Sequence, residues 1–358
     1  MLRIGIVGLA QVGKTTLFRI LTHAHGSGLS SGKQEAHIGV VRVPDPRLDR
    51  LTEMYHPQKT VYANIEYVDT PGSVIEIART GLQMASLREM DALAHVVRAF
   101  GDGTSASGNA NPQADIENVE LELILSDLSV VEKRLARLEK DLKKQKIPAL
   151  EKEFQVLQTS KAALEKQTPL REVVRSAEDE RIVRGFTFLS SKPMLYVMNL
   201  GEKDVARANA ADEFAAAAGL KQRPRTAVTA VCGQVEAELA ELSDAEAGEF
   251  LASYGLKESG AARLIRSSYH LLGLICFFTV GEDECRAWTI RSGSTALEAA
   301  GEIHSDLQKG FIRAEVVKYD DLISSGSLAE ARTRALLKLE GKEYIVTDGE
   351  IVHFRHSG

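Results

Sequence analysis

The stretch GLAQVGKT, Gly8 to Thr15, constrains the fold of this chain through what stands on either side of it. The apolar run LRIGIV precedes it, with Ile4 to Val7 reading as a β-strand, and an amphipathic run from Thr15 through LFRILTHA reads as a helix. Strand, two glycines, lysine, hydroxyl and helix thus match G-x-x-x-x-G-K-[ST] in context as well as in letters. Gly8 and Gly13 permit backbone conformations that a Cβ hinders, so that successive N–H groups can turn inward toward phosphate oxygens. The helix beginning near Lys14 adds the positive end of its dipole. The expected phosphate-binding residues are Ala10, Gln11, Val12, Gly13, Lys14, Thr15 and Thr16. In this arrangement Lys14 brings a mobile charge to the β- and γ-phosphates and the Thr15 hydroxyl ligates Mg²⁺.

A second strand should carry a carboxylate to the metal, and VYANIEYVDTPG supplies one. The alternation of Val61, Ala63, Ile65 and Tyr67 reads as a single strand ending in the D-x-x-G of Asp69 to Gly72. Asp69 is expected to hold Mg²⁺ through water, and the Gly72 N–H to sense the γ-phosphate. A third strand, Lys192 to Asn199, leads into Asn199-Leu200-Gly201-Glu202. G proteins carry N-K-x-D there to accept guanine's two donors, whereas this chain has N-x-x-E. Adenine lacks that donor pair, so Asn199, Leu200 and Glu202 point to relaxed or adenine-directed recognition, with guanine as the alternative. A fourth strand, Thr226 to Ala230, stands where G proteins place a loop against the base.

Bulk properties exclude other classes. The 358 residues are 44% hydrophobic and 26% charged, a globular balance, and the net charge of -6 provides no overall attraction for nucleic acid or anionic membrane. Any RNA contact needs a local patch. Cys232, Cys276 and Cys285 are too few and scattered for a disulfide framework or a four-ligand zinc site and read as buried apolar residues in a reducing compartment. The longest apolar stretch, LLGLICFFTV, is far short of the roughly 20 residues that span a bilayer, and no cleavable signal pattern opens the chain, so a cytoplasmic protein is expected.

From Leu121 to Leu142, Leu125, Leu128, Val131, Leu135 and Leu138 recur at spacings of three and four, a coiled-coil-like stripe. Pro148 breaks it, and Leu150, Phe154, Leu157 and Leu164 continue a second stripe, which predicts two antiparallel helices. The tip, KDLKKQKIP, is basic; it reads either as a solvated helix face or as an RNA contact.

Taken in order, these motifs resemble the Obg-like ATPases of the YchF type, a branch of the translation-factor-related P-loop GTPases that prefers ATP. The resemblance also rests on GVVRVPDPRLDRL (39–51), DALAHVVRAF (91–100), the long run from Cys285 to Leu322, and LEGKEYIVTDGEIVHFR (339–355). It implies an α/β P-loop NTPase sheet of the G-domain class, residues 1–112 and 188–272, interrupted by a coiled-coil hairpin at 113–187. A C-terminal β-grasp TGS domain, 273–358, would follow. It further implies an enzyme with Mg²⁺ as cofactor that hydrolyses ATP, with GTP as the alternative, and a regulatory role at the ribosome or RNA without a membrane. A monomer is expected. Lys14 and Gly72 are the catalytic candidates. Lys309, Arg313, Lys318 and Trp288 offer a surface for RNA, although Trp288 beside Ile290 reads first as core.

Three departures from the family bear on mechanism. Gln11 replaces an Asn that in K⁺-activated relatives helps to hold the ion. Lys33, which cannot ligate a cation, falls where a Mg²⁺-binding threonine is expected, leaving Ser30 or Ser31 as substitutes. The loop GDGTSASGNANP has no histidine. With no glutamine after Gly72 either, nothing in the sequence visibly positions the attacking water, and slow hydrolysis or a binding module with negligible turnover is expected.

Overall fold

The computed structural model describes residues 2–22, 36–80, 84–101, 110–173 and 175–357. The chain enters through β1 (Arg3–Val7) and β2 (His37–Arg42), then passes through β3 (Lys59–Val61), β4 (Asn64–Asp69) and β5 (Ala92–Ala99). After a long helical excursion come β6 (Met194–Leu200) and β7 (Thr226–Val231), and the last strands are β8 (Leu274–Thr279), β9 (Glu284–Arg291), β10 (Phe311–Val317), β11 (Lys338–Glu340) and β12 (Ile351–His356). They form two six-stranded sheets. The first has the order β2-β4-β1-β5-β6-β7, and the pairings β4·β1, β1·β5, β5·β6 and β6·β7 are parallel. β6, MLYVMNL, is buried at every position, which is the continuous apolar run expected of a parallel strand covered on both faces. Because β1 lies inside the sheet, its C-terminal end opens where ligands of α/β sheets bind.

The first six α-helices are α1 (Lys14–Thr22), α2 (Pro46–Tyr55), α3 (Val74–Thr80), α4 (Met84–Arg88), α5 (Pro112–Lys144) and α6 (Pro148–Glu165). α5 and α6 confirm the hairpin, with prolines at the first turn of each, where the missing N–H is not needed. The leucine stripe holds only in part. Val131, Leu135 and Leu138 pack with Val156, Leu157 and Leu164 of α6, but Leu121 and Leu125 are exposed. The N-terminal half of α5 instead turns Ile116, Val119 and Leu123 into the core formed with β5 and β6. The stripe therefore changes face where α5 changes partner.

Two compact units divide the chain: Met1–Val41 with Glu66–Ser267, and Arg42–Ile65 with Ser268–Gly358. Residues 42–65 were expected in the nucleotide domain. They belong instead with the C-terminal unit, whose sheet has the order β11-β10-β12-β8-β9-β3, because β3 pairs in parallel with β9. Asp45 caps α2 and, with Asp348, holds the Arg47 guanidinium, which also lies 5.3 Å from the Phe278 ring centre. The predicted strand from Val61 to Tyr67 is accordingly two strands in two sheets, since an alternation of period two does not tell which sheet receives it. In the C-terminal unit the antiparallel β8·β9 hairpin, parallel β8·β12 and the helix Ala296–Ile303 against Phe277, Val316 and Phe354 build a β-grasp. Trp288 stacks on Phe277 and donates from Nε1 to Thr279 Oγ1 at 2.9 Å, so it is partly core. All three cysteines are buried. No helix among the described residues is long and apolar enough to cross a membrane.

His95, beside Val7 in the β1·β5 register, is fully buried with neither ring nitrogen hydrogen-bonded. Burial first, then the positive charges of Lys14 and Arg171, push its pKa down to about 3. The folded chain therefore keeps a neutral imidazole while the unfolded chain takes up a proton as pH falls below about 6.5, so stability is lost on acidification until about pH 3. Between pH 7 and pH 5 this term removes about 2 kcal/mol. Urea unfolding of wild type and His95→Leu at the two pH values should differ by that amount; parallel losses would contradict it.

Candidate functional site

The glycines of the loop between β1 and α1 have the conformations their positions require. Gly8 and Gly13 have φ of 152° and 99°, and Gln11 between them has φ of 60°. A Cβ on Gly8 would stand 2.6 Å from the Val96 carbonyl oxygen, and one on Gly13 would stand 2.5 Å from Asn199 Nδ2. Backbone thus passes so close to its neighbours that side chains are excluded. The loop opens on a cleft of about 440 Å³ lined by Gln11, Lys14, Thr15, Gly72 and Glu76, among others. Ala10, Gly13 and Thr16 line it too, whereas the Val12 side chain is buried and leaves only main chain available.

Lys14 Nζ donates to Leu9 O at 2.6 Å and Gly8 O at 3.4 Å, which folds the ammonium over its own loop. Burial lowers its pKa while Asp69 and Glu76 oppose that shift. At the end of β4, Asp69 is 2% exposed and its Oδ2 accepts from the Thr15 hydroxyl at 3.0 Å. Asp69 Oδ1 is buried without a hydrogen-bond partner. Such an orphaned carboxylate oxygen beside a threonine hydroxyl suits a hard, oxygen-seeking cation. Thr15 and Asp69 fit Mg²⁺, which takes few protein ligands and completes its octahedron with water and phosphate. The described residues contain no cluster of three or more His, Cys, Asp or Glu that could hold a metal ion.

Asn199 has a different geometry from the other base-reading candidates. Its Nδ2 donates to Val12 O at 3.0 Å and its Oδ1 accepts from Gly233 N at 3.1 Å, tying the phosphate loop to the segment after β7. The Leu200 side chain is 3% exposed and belongs to the core, which removes it as a side-chain contact. Glu202 is exposed and accepts from Gln234 Nε2 and Tyr254 OH, each at 3.3 Å. Lys33, Ser30 and Ser31, and the loop at 102–109, lie outside the described residues.

The residue that sequence reasoning missed is Glu76. Its Oε2 accepts from Ser73 N at 2.8 Å and its N–H donates to Ser73 Oγ at 3.2 Å, a capping box on α3. The same oxygen would be 3.2 Å from a Cβ on Gly72. The S-x-x-E after Pro71-Gly72 carried that signal.

A parallel sheet, a glycine loop running into a helix, and a hydroxyl–carboxylate pair formed by Thr15 in the first turn of α1 and Asp69 at the end of β4 define a P-loop nucleotide hydrolase. The chain belongs to the YchF family. It is 43% identical over 98% of both chains to the ribosome-binding ATPase YchF of Bacillus subtilis, and 39% identical over 98% of both to that of Escherichia coli O157:H7. The YchF GTPase of Schizosaccharomyces pombe, 28% identical, superposes with a TM-score of 0.83 over 99% of this chain and 97% of that one. Residues 3–152 match the family described as 50S ribosome-binding GTPase, and 274–357 match the YchF GTPase C-terminal family, described as of unknown function.

Proposed function

We propose that the protein binds purine triphosphates with Mg²⁺, hydrolyses ATP slowly in preference to GTP, and acts as a cytoplasmic regulator at the ribosome. The observation that carries the metal-dependent part is the buried, unpartnered Asp69 Oδ1 beside Thr15. When bound, Mg²⁺ would offset negative charge on the β- and γ-phosphates. Lys14 would exchange its loop carbonyls for phosphate oxygens, the main chain of Ala10 to Thr16 would donate to them, and Gly72 would present its N–H to the γ-phosphate. Asn199 would act as a brace beneath that loop. Adenine preference is supported by Glu202 in place of the N-K-x-D carboxylate of guanine-binding G proteins; Glu202 also accepts from Gln234 and Tyr254. The ribosome as partner is supported by the two bacterial relatives.

Calorimetry with Mg²⁺ and non-hydrolysable analogues should give at least tenfold tighter binding of the adenine form, about 1.4 kcal/mol. Equal affinity or a guanine preference would make the protein a GTPase with an atypical base pocket. Turnover of tens per second by the isolated protein would overturn slow hydrolysis, and ribosomes should raise the rate.

A further inference from the structure

ATP hydrolysis requires an acceptor for the attacking water, and the sequence showed none. Among the described residues lining the cleft, Glu76 carries the sole carboxylate. The capping box accounts for its contact with Ser73, but a cap does not require the carboxylate to line the nucleotide cleft beside Gly72. Its charge is also felt at Lys14, the residue expected to grip the γ-phosphate. Thr15 is already engaged with Asp69, and neither a threonine nor the Gln11 amide can hold a water proton near neutral pH.

We propose that Glu76 holds the attacking water and takes its proton. This deepens the ATPase reading above and rests on it. The water oxygen bonds to the γ-phosphorus as the bond to the β,γ-bridging oxygen breaks. The electron pair of that bond stays on ADP, the water proton passes to the Glu76 carboxylate and on to solvent, and ADP, phosphate and one proton result. A carboxylate lining this cleft would also oppose the charge of a bound nucleotide, in keeping with the slow hydrolysis proposed above.

The test uses the full chain with Mg²⁺ and compares wild type with Glu76→Gln. Glutamine also serves a capping box, so the helix start is preserved while the proton acceptor is lost. The expected result is single-turnover hydrolysis slower by roughly 100-fold, within the usual range for a general base, and loss of the acid limb of the pH–rate profile. Affinity for a non-hydrolysable ATP analogue should stay within threefold, and Tm within a few degrees. Turnover within threefold of wild type overturns the proposal, as does tenfold tighter binding with unchanged turnover, which would make Glu76 an electrostatic plug. A wild-type chain that binds no nucleotide overturns the ATPase reading and this one together, whereas normal wild-type turnover with an unaffected variant overturns Glu76 alone.

Discussion

A single methyl group on Gly13 is expected to weaken triphosphate binding at least 100-fold, equivalent to about 2.7 kcal/mol. Two independent causes act together. At φ of 99° an L-residue is strained, and the new Cβ would stand 2.5 Å from Asn199 Nδ2. Asn199 cannot retreat freely, because its amide bridges Val12 O and Gly233 N. The loop must therefore move, and with it the N–H groups proposed to receive the phosphates. Calorimetric titration of Gly13→Ala with a non-hydrolysable ATP analogue measures the loss. Asn199→Ala separates the two causes, since it removes the obstacle: if crowding dominates, the double variant Gly13→Ala/Asn199→Ala binds better than Gly13→Ala. An affinity within threefold of wild type for Gly13→Ala would mean that the loop is plastic and that Gly13 is not fixed by the Asn199 amide.

The site was legible where its chemistry is local. Arg3 to Thr22 is one continuous strand–loop–helix, and Asp69 stands at the end of a strand whose pattern is written in adjacent residues. What stayed hidden depends on distant partners. Nothing in KTV at 59–61 tells that β9 receives it, because strand alternation is the same in either sheet. Leu121 and Leu125 fit the hairpin stripe by spacing, yet α5 faces the sheet at that height and α6 only further along. Leu200 follows Asn199 in sequence but points into the core, because in a strand successive side chains leave on opposite faces. Glu76 was hidden by a different ambiguity: S-x-x-E reads as a helix start, and only the fold reveals that this start borders the phosphate cleft.

The largest stability effect should come from buried charges on α5. On α5, Glu120 and Asp127 are buried where the hairpin meets the sheet. Asp127 accepts from Leu189 N, Ser190 N, Ser190 Oγ and Arg88 at 2.7 to 3.0 Å, and burial still raises its pKa. Glu120 accepts from Tyr196 OH and from Arg171, whose guanidinium is fully enclosed and also reaches Ser190 O at 3.3 Å. Removing one partner of such a pair leaves an uncompensated charge out of water, so Arg171→Ala and Glu120→Ala should each destabilise by about 3–5 kcal/mol. Replacing both with apolar residues of similar volume, Glu120→Leu with Arg171→Met, removes the need for compensation and should recover most of that loss. Urea unfolding of the three variants decides the matter. If the paired replacement loses as much as the two single alanines summed, the charges act independently and the pair does not hold α5 to the turn at Leu170–Glu172. If it recovers, the pair is a docking constraint whose net energy is small but whose breakage is severe, and the hairpin keeps its place on the sheet because moving it would strand Glu120 from Arg171 and Tyr196.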